Sequence, residues 1–250
     1  MPRKIVLLGG TKGIGRALAR RLVDRGDRLH LLGRDLDDLG RSAADLQVRS
    51  VASTRPLVSS SFCDLERPDS FAPAIATAAE AMGGFDTVIV TAALFATQDR
   101  LEGDPDFLRR LLVVNFSHTV LFCELVRGYL LAHGGGTLCV FSSVAGDRGR
   151  KPIVLYGAAK AGLSAYLEGL DHRYRSCGLT TICVKPGFVR TGMTDGLPEP
   201  PFAADADRVA VATIRAMERG APVAYVPAVW ALVMGVIKQL PRAVMRRVGF

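Results

Sequence analysis

The chain has 250 residues, 49% of them hydrophobic, and a formal net charge of +8. This length suits a single α/β domain with a buried core, and no interior stretch looks like a linker, a repeat or a low-complexity tract. The positive charge alone would allow nucleic-acid binding. However, no helix-turn-helix, RNA-binding signature or basic stripe interleaved with aromatic residues accompanies it, so we predict no nucleic-acid partner.

The first predicted element leads into a nucleotide-binding turn. Residues 5–8 form an apolar run that predicts a strand buried on both faces, and helical periodicity begins after Gly15. A glycine-rich turn between such a strand and a helix places backbone N–H groups and the positive helix end against a pyrophosphate. The alternative is a tight turn without a ligand. The predicted cofactor contacts in this turn are Gly9, Thr11, Lys12, Gly13, Ile14 and Gly15.

Strand-like runs and helix-length amphipathic segments alternate along the chain, which predicts a parallel sheet with right-handed crossovers. The predicted strands are 5–8, 28–32, 57–62, 87–91, 137–142, 180–184 and 223–226. We therefore predict the α/β class, with a single doubly wound (Rossmann) domain over residues 1–227 and a seven-stranded parallel sheet flanked by helices. Residues 228–250 would add an apolar and basic helical tail to the same domain.

The end of the second predicted strand bears on which dinucleotide is bound. An acidic residue there would bind the adenosine ribose and repel a 2′-phosphate, whereas arginine attracts that phosphate. The chain has Gly33 at the acidic position and Arg34 just beyond, and Lys12 adds a second cation in the glycine-rich turn. A pair of cations suits a dianionic phosphate, so we predict NADP(H). The alternative for Arg34 is an exposed arginine without a ligand.

The segment 156–160 predicts acid–base chemistry, because it begins with Tyr156 and ends with Lys160. A tyrosine hydroxyl titrates near ~10, and a neighbouring ammonium favours its ionised form. On a helix, side chains four residues apart lie on the same face, so both groups would point into one cleft with Ser143 as a third member. The spacing alone is a frequent accident on amphipathic helices, and the nucleotide-binding turn is what supports it.

Taken together, these motifs resemble the short-chain dehydrogenase/reductase superfamily, with parts in the family's order and spacing over residues 4 to about 194. The turn resembles the family's Thr-Gly-x-x-x-Gly-Ile-Gly pattern, with Leu8 where the threonine usually stands. Two departures are visible. Residues 91–94 read Thr-Ala-Ala-Leu instead of Asn-Asn-Ala-Gly, and the family's Val-Asp-Gly-Gly ending is absent.

The resemblance implies a catalytic set. Tyr156 matches the acid–base residue, and Ser143 matches the serine that hydrogen-bonds the substrate oxygen. Lys160 matches the lysine that binds the nicotinamide ribose and lowers the tyrosine pKa, and Asn115 matches the helix asparagine that holds a proton-relay water. Further cofactor contacts by the same resemblance are Asp64, Leu65, Ala92, Tyr156, Lys160, Pro186, Gly187, Val189 and Thr191.

The cysteines and histidines indicate the cellular compartment of the protein and whether it binds a metal ion. The five cysteines are odd in number and scattered, as buried apolar residues would be, which predicts a reduced cytoplasm. Residues 2–4 lead straight into the first strand, without the pattern of a signal peptide. The four histidines show no metal-ligand spacing, so we expect no metal.

The C-terminal tail combines an apolar run with positive charge. Residues 228–237 are apolar but too few to span a bilayer, which needs ~20 residues. No acidic residue follows Glu218. The cations beyond the apolar run are Lys238, Arg242, Arg246 and Arg247. This pattern predicts peripheral contact with anionic lipid on the inner face of the membrane. The alternative is a helix that covers the substrate cleft or contacts a second subunit, and we expect a homodimer.

The basic run Arg148, Arg150 and Lys151 lies between the predicted catalytic serine and tyrosine. With the tail, it resembles reductases that act on polyprenyl-phosphoryl 2-keto-pentoses. The run would meet an anionic headgroup such as a lipid phosphate, or form a solvated loop. Residues 192–201 have the Gly/Pro content of a mobile lid, with Gly192 and Gly196 as hinges.

These features predict an NADPH-dependent enzyme that interconverts a ketone and a secondary alcohol on a lipophilic substrate. The substrate would be a lipid-linked keto-sugar, a sterol or an acyl compound. Two alternatives remain open at this point. One is a non-catalytic NADP(H)-sensing module, which would have no need of an acid–base residue. The other is a membrane-surface scaffold in which the tail is the functional element.

Overall fold

The computed structural model describes residues 2–49 and 58–247. The strands are β1 (Lys4–Leu8), β2 (Arg28–Gly33), β3 (Val58–Phe62), β4 (Thr87–Val90), β5 (Gly136–Phe141), β6 (Leu179–Pro186), β7 (Val189–Arg190), β8 (Ala204–Asp205) and β9 (Val223–Val226). The helices are α1 (Gly13–Asp24), α2 (Leu36–Arg49), α3 (Phe71–Met82), α4 (Gln98–Gly103), α5 (Pro105–Leu112), α6 (His118–Ala132), α7 (Val154–Tyr174), α8 (Ala206–Arg219), α9 (Val229–Gln239) and α10 (Arg242–Met245).

Seven strands form one sheet in the order β3-β2-β1-β4-β5-β6-β9, and every neighbouring pair runs parallel. The chain moves outward in opposite directions from β1 and from β4. The loops that follow these two strands therefore diverge and leave a crevice at the carboxyl ends, where open α/β sheets bind ligands. The structure confirms the predicted fold class.

Side chains of the central strand alternate between two cores. Ile5 and Leu7 belong to the core formed with α1, α2 and α8, whereas Val6 and Leu8 belong to the core formed with α3, α6 and α7. Because successive residues of a strand point to opposite faces, an apolar residue is needed at every position of a strand that is covered on both sides. This explains the unbroken apolar run that predicted the strand.

The strand boundaries differ from the predicted ones by one or two residues. Strand β6 extends to Pro186 because Lys185 and Pro186 still pair with Tyr225 and Val226 of β9. Residue 57, with which the third predicted strand begins, lies outside the described residues. Strands β7 and β8 form a separate two-stranded sheet, which was not predicted because two-residue strands carry no periodicity.

One helical run has a composition that also suits a membrane. Pro105–Ala132 joins α5, a π-helical turn (Val113–Ser117) and α6, and by length and composition it is apolar enough to cross a bilayer. Phe122 and Val126 of α6 are fully buried in the core. Packing against the sheet accounts for the apolar residues on that face.

The tail packs beside the loops at the carboxyl ends of the strands. Met234 and Ile237 of α9 are buried against Val144, which follows β5. On the outer face of α9, Leu232 is 73% exposed and Val236 is 58% exposed. The tail therefore joins the wall of the crevice and still presents apolar side chains to the outside.

Candidate active site

The turn after β1 requires glycine at two of its positions. Gly9 has a φ of +93°, and a Cβ there would lie 2.7 Å from the Ala92 nitrogen and 2.7 Å from Thr91 Oγ1. A Cβ at Gly15 would lie 2.0 Å from the Gly9 carbonyl oxygen. Other residues rarely adopt such a φ, and neither contact leaves room for a side chain. The tight turn brings bare backbone to the N-terminus of α1, a cradle that fits a dinucleotide pyrophosphate.

Thr91 holds this turn from the end of β4. Its hydroxyl lies 3.2 Å from the Leu8 carbonyl oxygen and 3.0 Å from that of Gly9. Its backbone nitrogen donates to Leu8 (2.9 Å), and so does that of Ala92 (3.3 Å), one of the predicted cofactor contacts. The departure from the family's Asn-Asn-Ala-Gly therefore retains a polar bridge between β1 and β4. The sequence did not reveal this supporting role of Thr91.

The two cations predicted to bind a 2′-phosphate are both exposed and both paired with carboxylates. Lys12 Nζ lies 2.8 Å from Asp38, and Arg34 lies 3.2 Å from Glu66. Glu66 also accepts two hydrogen bonds from Arg110, at 2.6 and 2.9 Å. Arg110 lowers the pKa of Glu66, and Lys12 lowers that of Asp38. A bound 2′-phosphate would have to displace these two carboxylates from the cations. The sequence did not reveal the ion pairs, because each carboxylate lies far along the chain from the cation it contacts.

The segment after β3 carries two of the implied cofactor contacts. Asp64 accepts a hydrogen bond from the Glu66 nitrogen (3.0 Å), and its own nitrogen donates to Ser70 Oγ (3.1 Å). Leu65 is buried in the core, and its carbonyl oxygen lies 2.6 Å from His118 Nδ1. These bonds fix the segment at the carboxyl end of the sheet. Contact of Asp64 and Leu65 with the adenine end of a dinucleotide stays a prediction.

Tyr156 and Lys160 lie one turn apart on α7. Lys160 Nζ is 5.9 Å from the Tyr156 ring centroid and donates to the Phe141 carbonyl oxygen at 2.8 Å. Lys160 is 2% exposed, and burial lowers its pKa to about 8. Ser142 Oγ donates to the Lys160 carbonyl oxygen at 2.9 Å, which ties α7 to the end of β5. The ammonium group is thus held between β5 and the tyrosine ring.

The protonation of Tyr156 corrects one expectation. Burial raises the pKa of Tyr156 to about 12, and hydrogen bonding with Ser143 opposes that rise. The Phe95 ring packs edge-to-face against Tyr156, with centroids 5.1 Å apart, and adds to its burial. The resemblance implied that Lys160 lowers this pKa below its usual value. In the structure burial outweighs the hydrogen bond with Ser143, so the phenol is protonated at neutral pH.

Ser143 begins the loop after β5 and faces the end of β6. Its Oγ donates to the Pro186 carbonyl oxygen (3.4 Å) and accepts from the Ala145 nitrogen (3.1 Å), so that it caps the short turn Val144–Gly146. Together with the hydrogen bonding to Tyr156, these contacts place Ser143 with the predicted tyrosine and lysine. The structure therefore brings the three side chains into one site.

Asn115 acts on the site through a backbone segment. It lies in the π-helical turn between α5 and α6 and is 1% exposed. Its amide group donates to the Leu94 carbonyl oxygen and accepts from the Leu94 nitrogen, both at 2.7 Å. These bonds fix the residue that precedes Phe95, the ring packed on Tyr156. The implied water-holding role of Asn115 stays a prediction.

The residues expected at the nicotinamide end surround the end of β6. A Cβ at Gly187 would lie 2.1 Å from Trp230 Nε1, so the indole of α9 covers the Pro186-Gly187 turn. Val189 is buried in β7. Thr191 comes close to the glycine-rich turn, because its Cγ2 would be 3.4 Å from a Cβ at Gly13. The two halves of the predicted cofactor site therefore meet.

Two side chains of the basic run after Ser143 bond to the tail, although Lys151 is exposed. Arg148 donates to the Leu240 carbonyl oxygen and Lys151 donates to that of Arg246, each at 2.7 Å. Burial lowers the pKa of Arg150. Arg148 and Lys151 therefore hold the ends of the tail helices, where carbonyl groups lack helical partners. Their contact with an anionic headgroup stays a prediction.

Ion pairs of Arg190 fix one end of the predicted lid, residues 192–201. Arg190 of β7 donates to Glu199 at 2.9 Å and to Asp205 at 3.0 Å. Of the two predicted hinges, Gly196 has a positive φ of +76°, whereas Gly192 is not among the positive-φ residues. Between them Met193 and Asp195 are exposed, whereas Thr194 is half-buried and donates to the Val189 carbonyl oxygen at 2.6 Å, and movement of the segment stays a prediction.

Metal-binding and thiol chemistry are two further possibilities in the part of the chain that the structure describes. Within residues 2–49 and 58–247, no group of three or more His, Cys, Asp or Glu side chains could hold a metal ion. The cysteines are free thiols, and burial raises the pKa of Cys63 to about 12. Such a thiol is a weak nucleophile at neutral pH.

Comparison with known proteins agrees with this arrangement. The family model described as short chain dehydrogenase matches residues 3–201. The chain is similar to an uncharacterised oxidoreductase of Streptomyces coelicolor, at 33% identity over 249 residues, or 98% of this chain and 96% of the relative. It is also similar to an uncharacterised oxidoreductase of Mycobacterium tuberculosis, at 32% identity over 245 residues, or 97% of this chain and 96% of the relative.

A solved structure shares the fold. It is a variant of actinorhodin polyketide ketoreductase with NADPH, which has a TM-score of 0.79 and 20% identity and covers 90% of this chain and 97% of its own. The family model spans most of the chain, and the two oxidoreductases span nearly all of it. The chain therefore belongs to the short-chain dehydrogenase family and is an oxidoreductase with a nicotinamide cofactor.

Proposed function

We propose that this oxidoreductase uses NADPH to reduce a ketone to a secondary alcohol, reversibly, on a lipophilic substrate. The observation that supports the reaction is that partly buried Tyr156 and buried Lys160 lie beside Ser143 in the crevice at the strand ends. A phenol with a pKa of about 12 keeps its proton at neutral pH, which is the state a proton donor requires.

Each side chain has a distinct part in this proposal. Ser143 hydrogen-bonds the substrate oxygen, and Tyr156 donates its proton to the same oxygen as negative charge develops there. Lys160 binds the nicotinamide ribose, and its charge favours the ionised tyrosine that remains. Asn115 supports proton resupply and fixes the segment that packs on Tyr156. The NADPH, when bound, supplies the hydride.

The preference for NADPH over NADH rests on charge at the end of β2. Gly33 carries no carboxylate that would repel a 2′-phosphate, and Arg34 and Lys12 supply two cations on neighbouring loops. The nicotinamide end would be held by Pro186, Gly187, Val189 and Thr191. The ketoreductase of similar fold, solved with NADPH, supports the same choice.

The test is NADPH oxidation, followed at the nicotinamide absorbance, against ketones of several lipid classes with NADH in parallel. The panel contains polyprenyl-phosphoryl keto-sugars, ketosteroids and long-chain ketoacyl esters. Tyr156→Phe should bind NADPH normally and lose about 100-fold or more in kcat. Tyr166→Phe is the matched control, since Tyr166 lies on the same helix but bonds to Glu124, at 2.7 Å. Most activity retained in Tyr156→Phe would contradict the mechanism.

The alternative of an NADP(H)-sensing module predicts a different result in the same assay. The native protein would bind NADPH tightly and turn over none of the ketones. A scaffold would show neither NADPH binding nor turnover.

We further propose that the enzyme works in the cytoplasm, peripherally on the inner face of the membrane, through residues 228–250, the last of which lie outside the described residues. Leu232 and Val236 are exposed on α9, and the cations of the tail follow them in the sequence, a combination that suits anionic lipid. A Leu232→Asp/Val236→Asp variant should lose co-sedimentation with anionic vesicles. Val48→Asp on α2 is the control, because Val48 is 77% exposed. Equal sedimentation of all three proteins would refute the contact.

A homodimer is the proposed assembly. Leu121 and Leu125 of α6 are 49% and 46% exposed, an apolar surface that a second copy could cover. Light scattering after size exclusion should give twice the chain mass, and Leu121→Glu/Leu125→Glu should give the mass of one chain. A native protein of single-chain mass would exclude the dimer.

A further inference from the structure

A buried charged cluster lies next to the proposed site and takes no part in the reaction described above. Asp147 Oδ1 lies 2.5 Å from Lys185 Nζ, and Asp147 Oδ2 accepts a hydrogen bond of 2.7 Å from the Tyr225 hydroxyl. The Asp147 side chain is 2% exposed and that of Lys185 is 11% exposed. The carboxylate and the ammonium group are therefore bonded within the protein rather than to bulk water.

The cluster joins three separate parts of the chain. Lys185 and Tyr225 are opposite each other in the pairing of β6 with β9, so their side chains lie on the same face of the sheet. Asp147 ends the short turn Val144–Gly146, which Ser143 caps at its other end. The cluster thus ties the loop that carries Ser143 to the last two strands of the sheet.

Two further contacts leave this loop little freedom. Ser143 Oγ bonds to the carbonyl oxygen of Pro186, the residue directly after Lys185. On the other side, a Cβ at Gly146 would lie 2.6 Å from the Lys160 carbonyl carbon. The loop therefore lies in close contact with both α7 and β6, and the charge-assisted hydrogen bond from Lys185 to Asp147 attaches it to β6.

A contribution to the stability of the fold does not by itself explain the buried ion pair of Asp147 and Lys185. Burying two charges carries a desolvation cost that their attraction only partly offsets, so apolar residues often stabilise a core equally well. The directional bonds of a carboxylate, in contrast, fix the position of the backbone that carries it. The cluster is therefore better suited to holding a geometry than to stabilising the fold.

We propose that Asp147 is a positioning residue for Ser143, and that with Lys185 and Tyr225 it holds the Ser143 hydroxyl against the Pro186-Gly187 turn. This rests on the proposed function, in which Ser143 hydrogen-bonds the substrate oxygen. A misplacement of about 1 Å at such a group lowers the rate by roughly 100-fold. The effect belongs to kcat, because the glycine-rich turn and the cations proposed to bind the phosphates of the dinucleotide lie in other loops.

Two variants test the proposal in the full-length protein. Asp147→Asn keeps the size of the side chain and removes the charge that binds Lys185, and Tyr225→Phe removes only a hydroxyl. We expect kcat to fall about 10- to 100-fold in Asp147→Asn and about threefold or more in Tyr225→Phe, with the NADPH Kd within about twofold. The control is Asp171→Asn, because Asp171 is also ion-paired, with Arg175 at 2.9 Å, but at the far end of α7.

Crystal structures of the native protein and of both variants supply a second readout. In Asp147→Asn, Ser143 Oγ should move away from the Pro186 carbonyl oxygen by about 0.5 Å or more. A purely structural role would lower Tm and leave kcat per NADPH-binding site unchanged. An unchanged kcat and an unmoved Ser143 in the variants would overturn the proposal, with Tyr225→Phe deciding if Asp147→Asn fails to fold.

The same design separates this proposal from the proposed function. If the native protein reduces no ketone, the proposed function fails in the native assay alone. The position of Ser143 in the variant structures then still decides whether Asp147 holds the loop.

Discussion

Replacing His30 should change how the stability of this fold depends on pH. His30 lies in the centre of β2 and is 1% exposed, with its ring nitrogens each 2.8 Å from the hydroxyls of Ser59 and Ser61. Burial lowers the pKa of His30 from 6.5 to about 4. As the pH falls, the unfolded chain therefore binds a proton before the folded one does. The contribution of neutral His30 is complete above pH 6.5 and is lost as the pH falls toward about 4.

The magnitude follows from the difference in proton binding. Each pH unit inside this window removes about 1.4 kcal/mol from the free energy of unfolding, so His30 alone should remove about 2 kcal/mol between about pH 6.5 and about pH 5. Equilibrium urea denaturation at about pH 7 and about pH 5 measures the loss in the native protein and in His30→Gln. The variant should lose about 2 kcal/mol less, whereas His172→Gln, at an exposed position on α7, should match the native protein. Equal losses in native protein and His30→Gln would refute the reasoning.

Three further results are expected. The pKa of Lys160 is about 8 and that of Tyr156 about 12, so kcat/KM for the ketone should not change with pH below about 8 and should fall as the pH rises through about 8. A value of kcat/KM that stays constant up to about pH 10 would contradict this. Arg34→Ala should raise the NADPH Kd about 10- to 100-fold and leave the NADH Kd unchanged, with Arg67→Ala, a similarly exposed arginine, as the control. In Gly15→Ala the new Cβ would lie 2.0 Å from the Gly9 carbonyl oxygen and distort the nucleotide-binding turn, so NADPH should no longer raise Tm. An undiminished rise in Tm would show that the turn accommodates the methyl group and still binds NADPH.

The fold could be predicted because its signals are local. The unbroken apolar run at residues 5–8 marks a strand covered on both faces, and the structure places those residues in two cores. The ends of the strands were harder to predict from the sequence. Strand β6 extends to Pro186 because it pairs with β9, which lies far along the chain. The two-residue strands β7 and β8 carry no pattern at all.

The candidate site could be predicted only in part. The spacing of Tyr156 and Lys160 indicated a shared helix face, because helix geometry alone sets that relation. The protonation of Tyr156 could not be predicted, since its pKa depends on burial, and residues that pack on it, such as Phe95, are remote in sequence. The hydrogen bond from Arg148 to the Leu240 carbonyl oxygen could not be predicted for the same reason.

The sequence by itself determined the α/β class, the glycine-rich turn and the helical register of the acid–base pair, because each depends on residues within a few positions of one another. Only the tertiary structure decided the carboxylate partners of Lys12 and Arg34, the raised pKa of Tyr156 and the cluster around Asp147. Burial and charge pairing are properties of neighbours in space. In this chain such neighbours come from distant strands and loops, as Asp147 and Tyr225 do, which are 78 residues apart.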